Sequence, residues 1–164
     1  MAEKIRVALV GAGNCAKSLV EGIAYYGDNP DETTGLMHPK IGPYAVGDIE
    51  VVAAFDVDAR KVRQRLRDAL EAEPNCARAL HTLPDPDVIV QRGPTSDGII
   101  EPTREWIQES PEPPVHAQQA LIDARADIVV NYLPTGANQA ALYYAAAAAN
   151  AGASFVNCMP APLA

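Results

Sequence analysis

The clearest chemical signature lies in two glycines and an alanine near the start of the chain. Gly11, Gly13 and Ala16 fit the pattern G-x-G-x-x-A and follow the apolar run Ile5–Val10. In this pattern the first glycine permits a tight turn, the second lets the backbone approach a diphosphate, and the small third residue allows a helix to pack closely on a strand. The free N–H groups and the dipole of the helix that follows attract the anion. The pattern therefore predicts a dinucleotide site.

A carboxylate at the end of the second predicted strand completes this fingerprint. Asp56 follows the apolar run Glu50–Phe55, where its side chain can accept hydrogen bonds from the adenosine ribose. Its charge repels a 2′-phosphate and favours NAD over NADP, whereas the nearby Arg60 and Lys61 weaken that preference. The alternative interpretation is that Asp56 caps the next helix. Asp56 comes forty residues after Ala16, about twice the usual spacing, so an insertion must lie between them.

Loops at the ends of the later strands are expected to line the same cleft, because ligands of open α/β sheets bind outside the carboxyl ends of the strands. Leu133 and Pro134 could form an apolar wall for a nicotinamide or adenine ring. Asn157 could bind an amide group. Ordinary turn formation explains each of these three residues equally well.

The cysteines and histidines do not indicate metal or disulfide chemistry. The three cysteines are widely spaced without a C-x-x-C pattern, so we expect reduced thiols and no metal site. Cys15 would lie at a helix N-terminus, where a thiol can be activated, but a packed and unreactive side chain is the favoured interpretation. The histidines lack ligand-like spacing and are expected on the surface or in loops. The residues concerned are Cys15, Cys76, Cys158, His38, His81 and His116.

Apolar runs separated by turns predict five strands. Because these runs are apolar at successive positions, the strands should be covered by helices on both faces, which is typical of a parallel sheet. We therefore predict an α/β fold of the Rossmann type, a doubly wound and mostly parallel sheet with the strand order 3-2-1-4-5. The predicted strands are Ile5–Val10, Glu50–Phe55, Asp87–Gln91, Asp127–Tyr132 and Ala153–Val156.

Helices are predicted between these strands, and residues 1–164 are expected to form one domain. Two connections, 26–48 and 91–114, exceed the usual length and are rich in glycine and proline. Long loops of this kind in compact domains tend to be functional or disordered. The predicted helices begin after Gly11 and lie at Ala59–Ala72, near Val115–Ala124 and at Ala137–Asn150.

The acidic composition limits which kinds of molecule the protein is expected to bind. The net charge of −8 opposes binding to nucleic acid and to anionic membranes, so a phosphate ligand must be held by local backbone dipoles. No apolar run approaches the roughly 20 residues needed to cross a bilayer, and the N-terminus lacks a signal-peptide pattern. We expect a cytoplasmic protein.

Several longer sequence motifs are more specific than the glycine pattern. Together they resemble the bacterial and archaeal branch of myo-inositol-1-phosphate synthase, and the resemblance covers nearly the whole chain. The two long loops contain some of these motifs. They are VGAGNCA at 10–16, GLMH at 35–38, GPY at 42–44, AAFDVD at 53–58, VQRGPT at 90–95, DG at 97–98 and YLP at 132–134.

The resemblance implies the conversion of D-glucose 6-phosphate to 1D-myo-inositol 3-phosphate, with bound NAD first oxidising and later reducing the sugar. It implies a tetramer and cofactor contacts from the turn that contains Asn14 and Cys15, and from Asp56. It also implies contacts from Ala124 and Tyr144. A family acid in the helix after the second strand is replaced by Arg65 in this chain, so the cofactor contact of that acid is in doubt.

The resemblance also implies a second domain, beyond the last predicted strand, that carries the catalytic lysines, the phosphate-binding residues and much of the subunit interface. We therefore assign no catalytic residue to this chain and expect the NAD-binding portion of the enzyme, inactive by itself. Glucose 6-phosphate would bind only when the missing domain is present. One alternative is a non-catalytic dinucleotide-binding or regulatory module. Another is an NAD-dependent dehydrogenase domain, which is disfavoured because no hydride-transfer acid can be named.

Overall fold

The fold is a five-stranded parallel sheet between two layers of helices, described by a computed structural model for residues 3–99, 101 and 104–161. The strands in chain order are β1 Ile5–Val10, β2 Lys40–Ile41, β3 Tyr44–Ala45, β4 Ile49–Asp56, β5 Val90–Arg92, β6 Ile128–Asn131 and β7 Ser154–Asn157. The helices are α1 Asn14–Asp28, α2 Leu66–Glu71, α3 Ala117–Asp123 and α4 Asn138–Ala151, and a 3-10 turn spans Val46–Asp48.

The order of the main sheet is β5-β4-β1-β6-β7, and all four of its pairings are parallel. Counted without the small β2–β3 hairpin, this order is 3-2-1-4-5, which confirms the predicted class and topology. The central strand β1 brings Val10 opposite Phe55 of β4 and Asn131 of β6. The ends of three strands therefore meet at one edge of the sheet.

Each face of the sheet has its own hydrophobic core, as expected for strands that are apolar at successive positions. Alternate residues of β1 point to opposite faces. One core joins Val7 and Leu9 to helices α1 and α2, and the other joins Ala8 and Val10 to helices α3 and α4. Further buried members are Val20, Leu66, Leu70 and Val90 on the first face and Phe55, Leu121, Val129 and Tyr144 on the second.

The predicted helix at Ala59–Ala72 is wrong over its first half, because α2 begins only at Leu66. The preceding residues form turns, and Arg63 takes a left-handed backbone conformation with φ 67°. The backbone then runs beside the third strand of the sheet, where the N–H of Leu66 donates to Val88 O at 2.8 Å and Gln64 O accepts from Val90 N at 2.9 Å. These non-local hydrogen bonds replace those of the expected helix.

The same pairing explains why the third strand is displaced from its prediction. Residues 88–90 bond to the segment before α2, so β5 joins β4 only over Val90–Arg92 instead of Asp87–Gln91. The other strands and helices α3 and α4 lie within one or two residues of their predicted bounds.

The first long connection is shorter than predicted, and the described parts of both connections make defined contacts. Within 26–48, helix α1 continues to Asp28, and the β2–β3 hairpin and the 3-10 turn follow. Within 91–114, the chain returns to the end of β4, where Ser110 N donates to Val57 O at 2.8 Å. No helix in the described part of the chain is long and apolar enough to cross a membrane.

Helix α4 receives its N-terminal cap from a residue of the second long connection. The Asp97 carboxylate accepts hydrogen bonds from Gln139 N at 2.8 Å and Ala140 N at 2.9 Å. Partial burial acts to raise the pKa of Asp97, but these N–H groups outweigh it and hold the pKa below the ordinary value. A depressed pKa in the folded state means that the ionised carboxylate stabilises the fold.

Replacing Asp97 by alanine should lower the free energy of unfolding by about 1 kcal/mol, the usual loss for a helix N-cap. The difference should be present at neutral pH, above the unfolded pKa of about 4, and should vanish as the pH falls through the lower pKa of the folded state. Chemical denaturation of the wild type and D97A across pH measures it. D31A, at an exposed aspartate, is the matched control. An equal loss in D31A would contradict the cap.

Candidate functional site

A cleft with a volume of about 680 Å³ opens at the carboxyl edge of the sheet, the size of a typical small-molecule site. It lies where the order of the strands reverses on either side of β1, the usual ligand position in open α/β folds. Its lining comes from the turn after β1, the segments after β4 and α2, and the loops after β5 and β6. The members used below are Gly11, Gly13, Asn14, Phe55, Asp56, Asp58, Arg60, Lys61, Cys76, Trp106, Tyr132, Leu133, Pro134 and Tyr144.

The turn after β1 has the geometry that its glycines predict. Gly11 has φ 93°, its N–H donates to Phe55 O at 2.8 Å, and a Cβ placed on it would lie 2.9 Å from Tyr132 O. A Cβ placed on Gly13 would meet no atom within 4 Å. Ala16 is fully buried. The turn is therefore pressed against its neighbouring strands at Gly11 but leaves open space at Gly13, where the free N–H groups of α1 begin.

Asp56 is bonded to this turn. Its Oδ2 accepts a hydrogen bond from Ala12 N at 2.8 Å, and its Oδ1 accepts from Val57 N at 2.7 Å and Asp58 N at 2.9 Å. Asp56 does not cap helix α2, which begins at Leu66, so the capping alternative is wrong. A carboxylate offers about four acceptor positions, so about one remains for a ligand.

Two cations and a second aspartate surround Asp56. Lys61 Nζ donates to Ala12 O at 2.8 Å and lies 3.9 Å from Asp56 Oδ2. Arg60 donates to both carboxylate oxygens of Asp58 and to Trp106 O. Burial acts to raise the pKa of Asp58, but its hydrogen bonds with Arg60 hold the pKa below the ordinary value. Both cations are thus bound to protein groups.

One wall of the cleft is a segment that the sequence did not indicate, residues 73–76. Asn14 holds this segment, since its Oδ1 accepts from Cys76 N at 3.0 Å and its Nδ2 lies 3.1 Å from Cys76 Sγ. Two further polar side chains of α1 continue the attachment. Lys17 Nζ donates to Ala77 O at 3.4 Å, and Glu21 Oε2 accepts from Leu80 N at 3.1 Å.

The opposite wall is aromatic and apolar. The Tyr144 ring is buried, with its centroid 5.5 Å from that of Phe55. A Cβ on Gly93 would lie 1.9 Å from the Tyr144 hydroxyl oxygen, so only glycine fits beneath this ring. Burial raises the pKa of Tyr144. Burial and the neighbouring Cys158 and Cys15 raise the pKa of Tyr132 to about 12, so both phenols stay protonated at neutral pH.

Most of the predicted site residues meet in this cleft. Leu133 and Pro134 line the cleft beside Tyr132, in the place where an apolar wall was predicted. Cys15 is exposed at the start of α1, so the expectation of a packed cysteine is wrong. In the first turn of a helix, only the residues on the face toward the sheet are buried. Ala16 lies on that face of α1, and Cys15 does not.

Four of the predicted residues are not among those lining the cleft. Cys15 and Ala16 belong to the first turn of α1, and the other two lie farther away. Ala124 ends α3 at the opposite edge of the sheet, where its carbonyl oxygen accepts from Arg6 Nε at 3.3 Å. Asn157 connects the ends of the last two strands, since its Oδ1 accepts from Asn131 Nδ2 at 2.9 Å and its Nδ2 donates to Ala161 O at 3.0 Å. Neither residue is among those lining the cleft.

The histidines occupy the positions expected of them. His38 is exposed, His116 begins α3, and His81 pairs with Asp28 at 2.9 Å. Across residues 3–99, 101 and 104–161, no group of three or more His, Cys, Asp or Glu side chains could hold a metal ion.

The chain closely resembles part of two bacterial inositol-3-phosphate synthases. The inositol-3-phosphate synthase of Corynebacterium glutamicum is 53% identical over 158 residues, covering 95% of this chain and 44% of that protein. The inositol-3-phosphate synthase of Mycolicibacterium smegmatis is 48% identical over 161 residues, covering 97% of this chain and 44% of that protein. No protein-family profile matches the chain.

Solved structures share the fold. The crystal structure of Ari2 has a TM-score of 0.82 at 33% identity, covering 98% of this chain and 48% of that one. A myo-inositol-1-phosphate synthase-related protein from Thermotoga maritima has a TM-score of 0.65 at 20% identity, covering 97% and 49% of the two chains. RSP, solved in complex with β-NADH, has a TM-score of 0.50 at 15% identity, covering 98% and 48%. The last two likenesses establish the fold alone.

These relatives confirm the resemblance to inositol-phosphate synthases that the sequence motifs indicated. The chain spans less than half the length of the curated relatives it matches. Over almost all of its own length, the chain is homologous to the inositol-3-phosphate synthases, through a stretch that makes up 44% of those enzymes.

Proposed function

We propose that this chain binds NAD and forms the dinucleotide-binding portion of an inositol-3-phosphate synthase, which converts D-glucose 6-phosphate to 1D-myo-inositol 3-phosphate. The observation that carries the proposal is the turn between β1 and α1. Its Gly13 faces open space in the cleft, and its Ala12 N–H is bonded to Asp56. The diphosphate site and the ribose site of a dinucleotide are thus joined by one hydrogen bond.

The lining residues suit the parts of NAD. The free N–H groups at the start of α1, beginning at Asn14, would hold the diphosphate. The remaining acceptor position of Asp56 would take a ribose hydroxyl. Leu133, Pro134 and the buried ring of Tyr144 would pack against a planar base. Wall and turn are preformed, so little ordering is needed on binding.

The charges in the cleft favour NAD over NADP. A 2′-phosphate would need a free cation near Asp56, but the hydrogen bonds of Arg60 go to Asp58 and Trp106 O, and Lys61 is bonded to the turn. Neither cation is therefore free to bind a 2′-phosphate. The one acceptor position left on Asp56 suits a ribose hydroxyl, which can donate a hydrogen bond, better than a phosphate, whose oxygens mainly accept.

In the complete reaction, bound NAD would act first as the hydride acceptor and later, in its reduced form, as the hydride donor. The residues of this chain would bind and orient it and, at Tyr132 and Tyr144, present neutral phenols whose raised pKa keeps their protons in place. The groups that bind and deprotonate the sugar phosphate would come from the remaining length of the relatives, which this chain does not match.

Replacing Gly13 by alanine should abolish or strongly weaken NAD binding without unfolding the chain. The added methyl group meets no protein atom within 4 Å, but it would occupy the approach of the diphosphate, and we expect at least about a tenfold loss of affinity. Isothermal titration calorimetry measures the affinity and thermal unfolding the stability.

Gly22 provides the matched control for that variant. It lies within the same helix, and a Cβ placed on it also meets nothing within 4 Å. G22A should bind NAD like the wild type and gain up to about 1 kcal/mol of stability, the difference in helix propensity. Equal NAD affinity of G13A and G22A would contradict the placement of the diphosphate.

Replacing Asp56 by asparagine should weaken NAD binding by about 1–3 kcal/mol, because charge-assisted hydrogen bonds are lost. The amide can still accept from Val57 and Asp58 through one oxygen, but its nitrogen cannot accept the Ala12 N–H. Calorimetry with NAD measures the effect, and circular dichroism establishes that the fold is retained. An unchanged affinity in a folded D56N protein would remove Asp56 from the site.

The chain by itself should not convert glucose 6-phosphate, and adding a protein that comprises the remaining length of a relative should restore turnover. Inositol phosphate released from labelled substrate measures the activity. Activity of the chain alone would contradict this division of labour. NAD binding without any activity in the presence of the complementary half would instead favour a non-catalytic dinucleotide-binding module.

A further inference from the structure

Lys61 is a buried cation whose position serves the cleft. Its side chain is 8% exposed, and its Nζ lies 3.9 Å from Asp56 Oδ2. Within the described residues, its hydrogen-bond acceptor is Ala12 O at 2.8 Å. An ammonium group carries three N–H donors. Lys61 therefore brings a buried positive charge to the cleft that it lines and uses one of these donors on the glycine turn.

Lys61 and Asp56 together hold one residue of the glycine turn from both sides. The N–H of Ala12 donates to Asp56 Oδ2 at 2.8 Å, and the carbonyl of Ala12 accepts from Lys61 Nζ at 2.8 Å. With both polar groups of Ala12 engaged, the peptide planes on its two sides cannot rotate freely. The peptide groups that lead into the free N–H groups at the start of α1 are thereby held in place.

The charge of Lys61 is matched to that of Asp56. A dinucleotide brings two negative charges to a protein of net charge −8, and the Asp56 carboxylate would repel them. An opposite charge 3.9 Å from the carboxylate opposes this field, and solvent screens such a buried pair only weakly. The other lining cation, Arg60, is paired with Asp58 and does not perform this role.

We propose that Lys61 is a positioning residue of the dinucleotide site: it fixes the glycine turn through Ala12 and neutralises Asp56 so that a diphosphate can approach. The proposal rests on the proposed NAD binding. It distinguishes Lys61 from a lysine that merely packs in the fold, because its effect passes through the charge of Asp56 and applies to phosphate-bearing ligands.

The test compares K61M with the wild type by calorimetry, with NAD, with ADP and with adenosine. We expect K61M to lose about tenfold or more in affinity for NAD and ADP, as for the loss of a charge-assisted hydrogen bond, and less than about threefold for adenosine, which has no phosphate. K61R, which keeps the charge, should recover part of the loss. K40M, at an exposed lysine of the β2–β3 hairpin, is the matched control.

A double-mutant cycle separates positioning from packing. In a D56N background, K61M should cost much less NAD affinity than in the wild type, because the charge to be neutralised is gone. If K61M alone does not fold, K61Q replaces it in both backgrounds. Equal losses in both backgrounds would overturn the neutralisation of Asp56 by Lys61. An equal loss for adenosine and ADP would overturn its positioning role as a whole. A wild type that binds no NAD would overturn the proposed function itself.

Discussion

The close approach of the glycine turn to the ends of two neighbouring strands is the constraint on which the rest of the cleft depends. At Gly11 the backbone bonds to Phe55 O and leaves no room for a Cβ beside Tyr132 O. The first helix therefore starts directly above the sheet, with its free N–H groups at the point where the strand order reverses. A larger residue would push the helix away from the carboxylate of Asp56.

Polar side chains then attach later parts of the chain to this centre. Asp56 and Lys61 grip Ala12 from β4 and the turns after it. On the outer side of α1, Asn14, Lys17 and Glu21 follow one another at helical spacing and hold residues 76–80. Lys17 and Glu21 are buried, and burying such groups costs free energy unless they find partners. Their hydrogen bonds to the backbone at Ala77 and Leu80 offset part of that cost, while Glu21 Oε1 is buried without a partner among the described residues.

The architecture supports the division of labour implied by the relatives. An acidic protein attracts anions poorly at long range, so the proposed phosphate site would rely on backbone dipoles and on one paired lysine. The cleft presents acceptors, donors and two protonated phenols, which suits the binding and orientation of a cofactor. The sugar chemistry would then belong to the part of the relatives that lies beyond the match.

Local patterns predicted the sheet class, the glycine turn and the position of Asp56: apolar runs, a tight turn and a carboxylate at the end of a strand. The strand order was predicted from the rules for connections between parallel strands. Leu133, Pro134 and Tyr144 followed from the topology and from the resemblance to the family. The start of α2 was mispredicted because residues 63–66 bond to residues 88–90, a pairing between distant segments that periodicity does not reveal.

The packing of distant segments against each other determines which polar side chains meet in the cleft, and the sequence patterns do not reveal it. Lys61 and Cys76 reach it because the chain after β4 and the chain after α2 fold back onto the start of α1. Ala124 and Asn157 lie outside it because their hydrogen bonds go to Arg6 and to Asn131. Such contacts join residues far apart in the chain, and their geometry depends on the packing of the whole sheet and its helices.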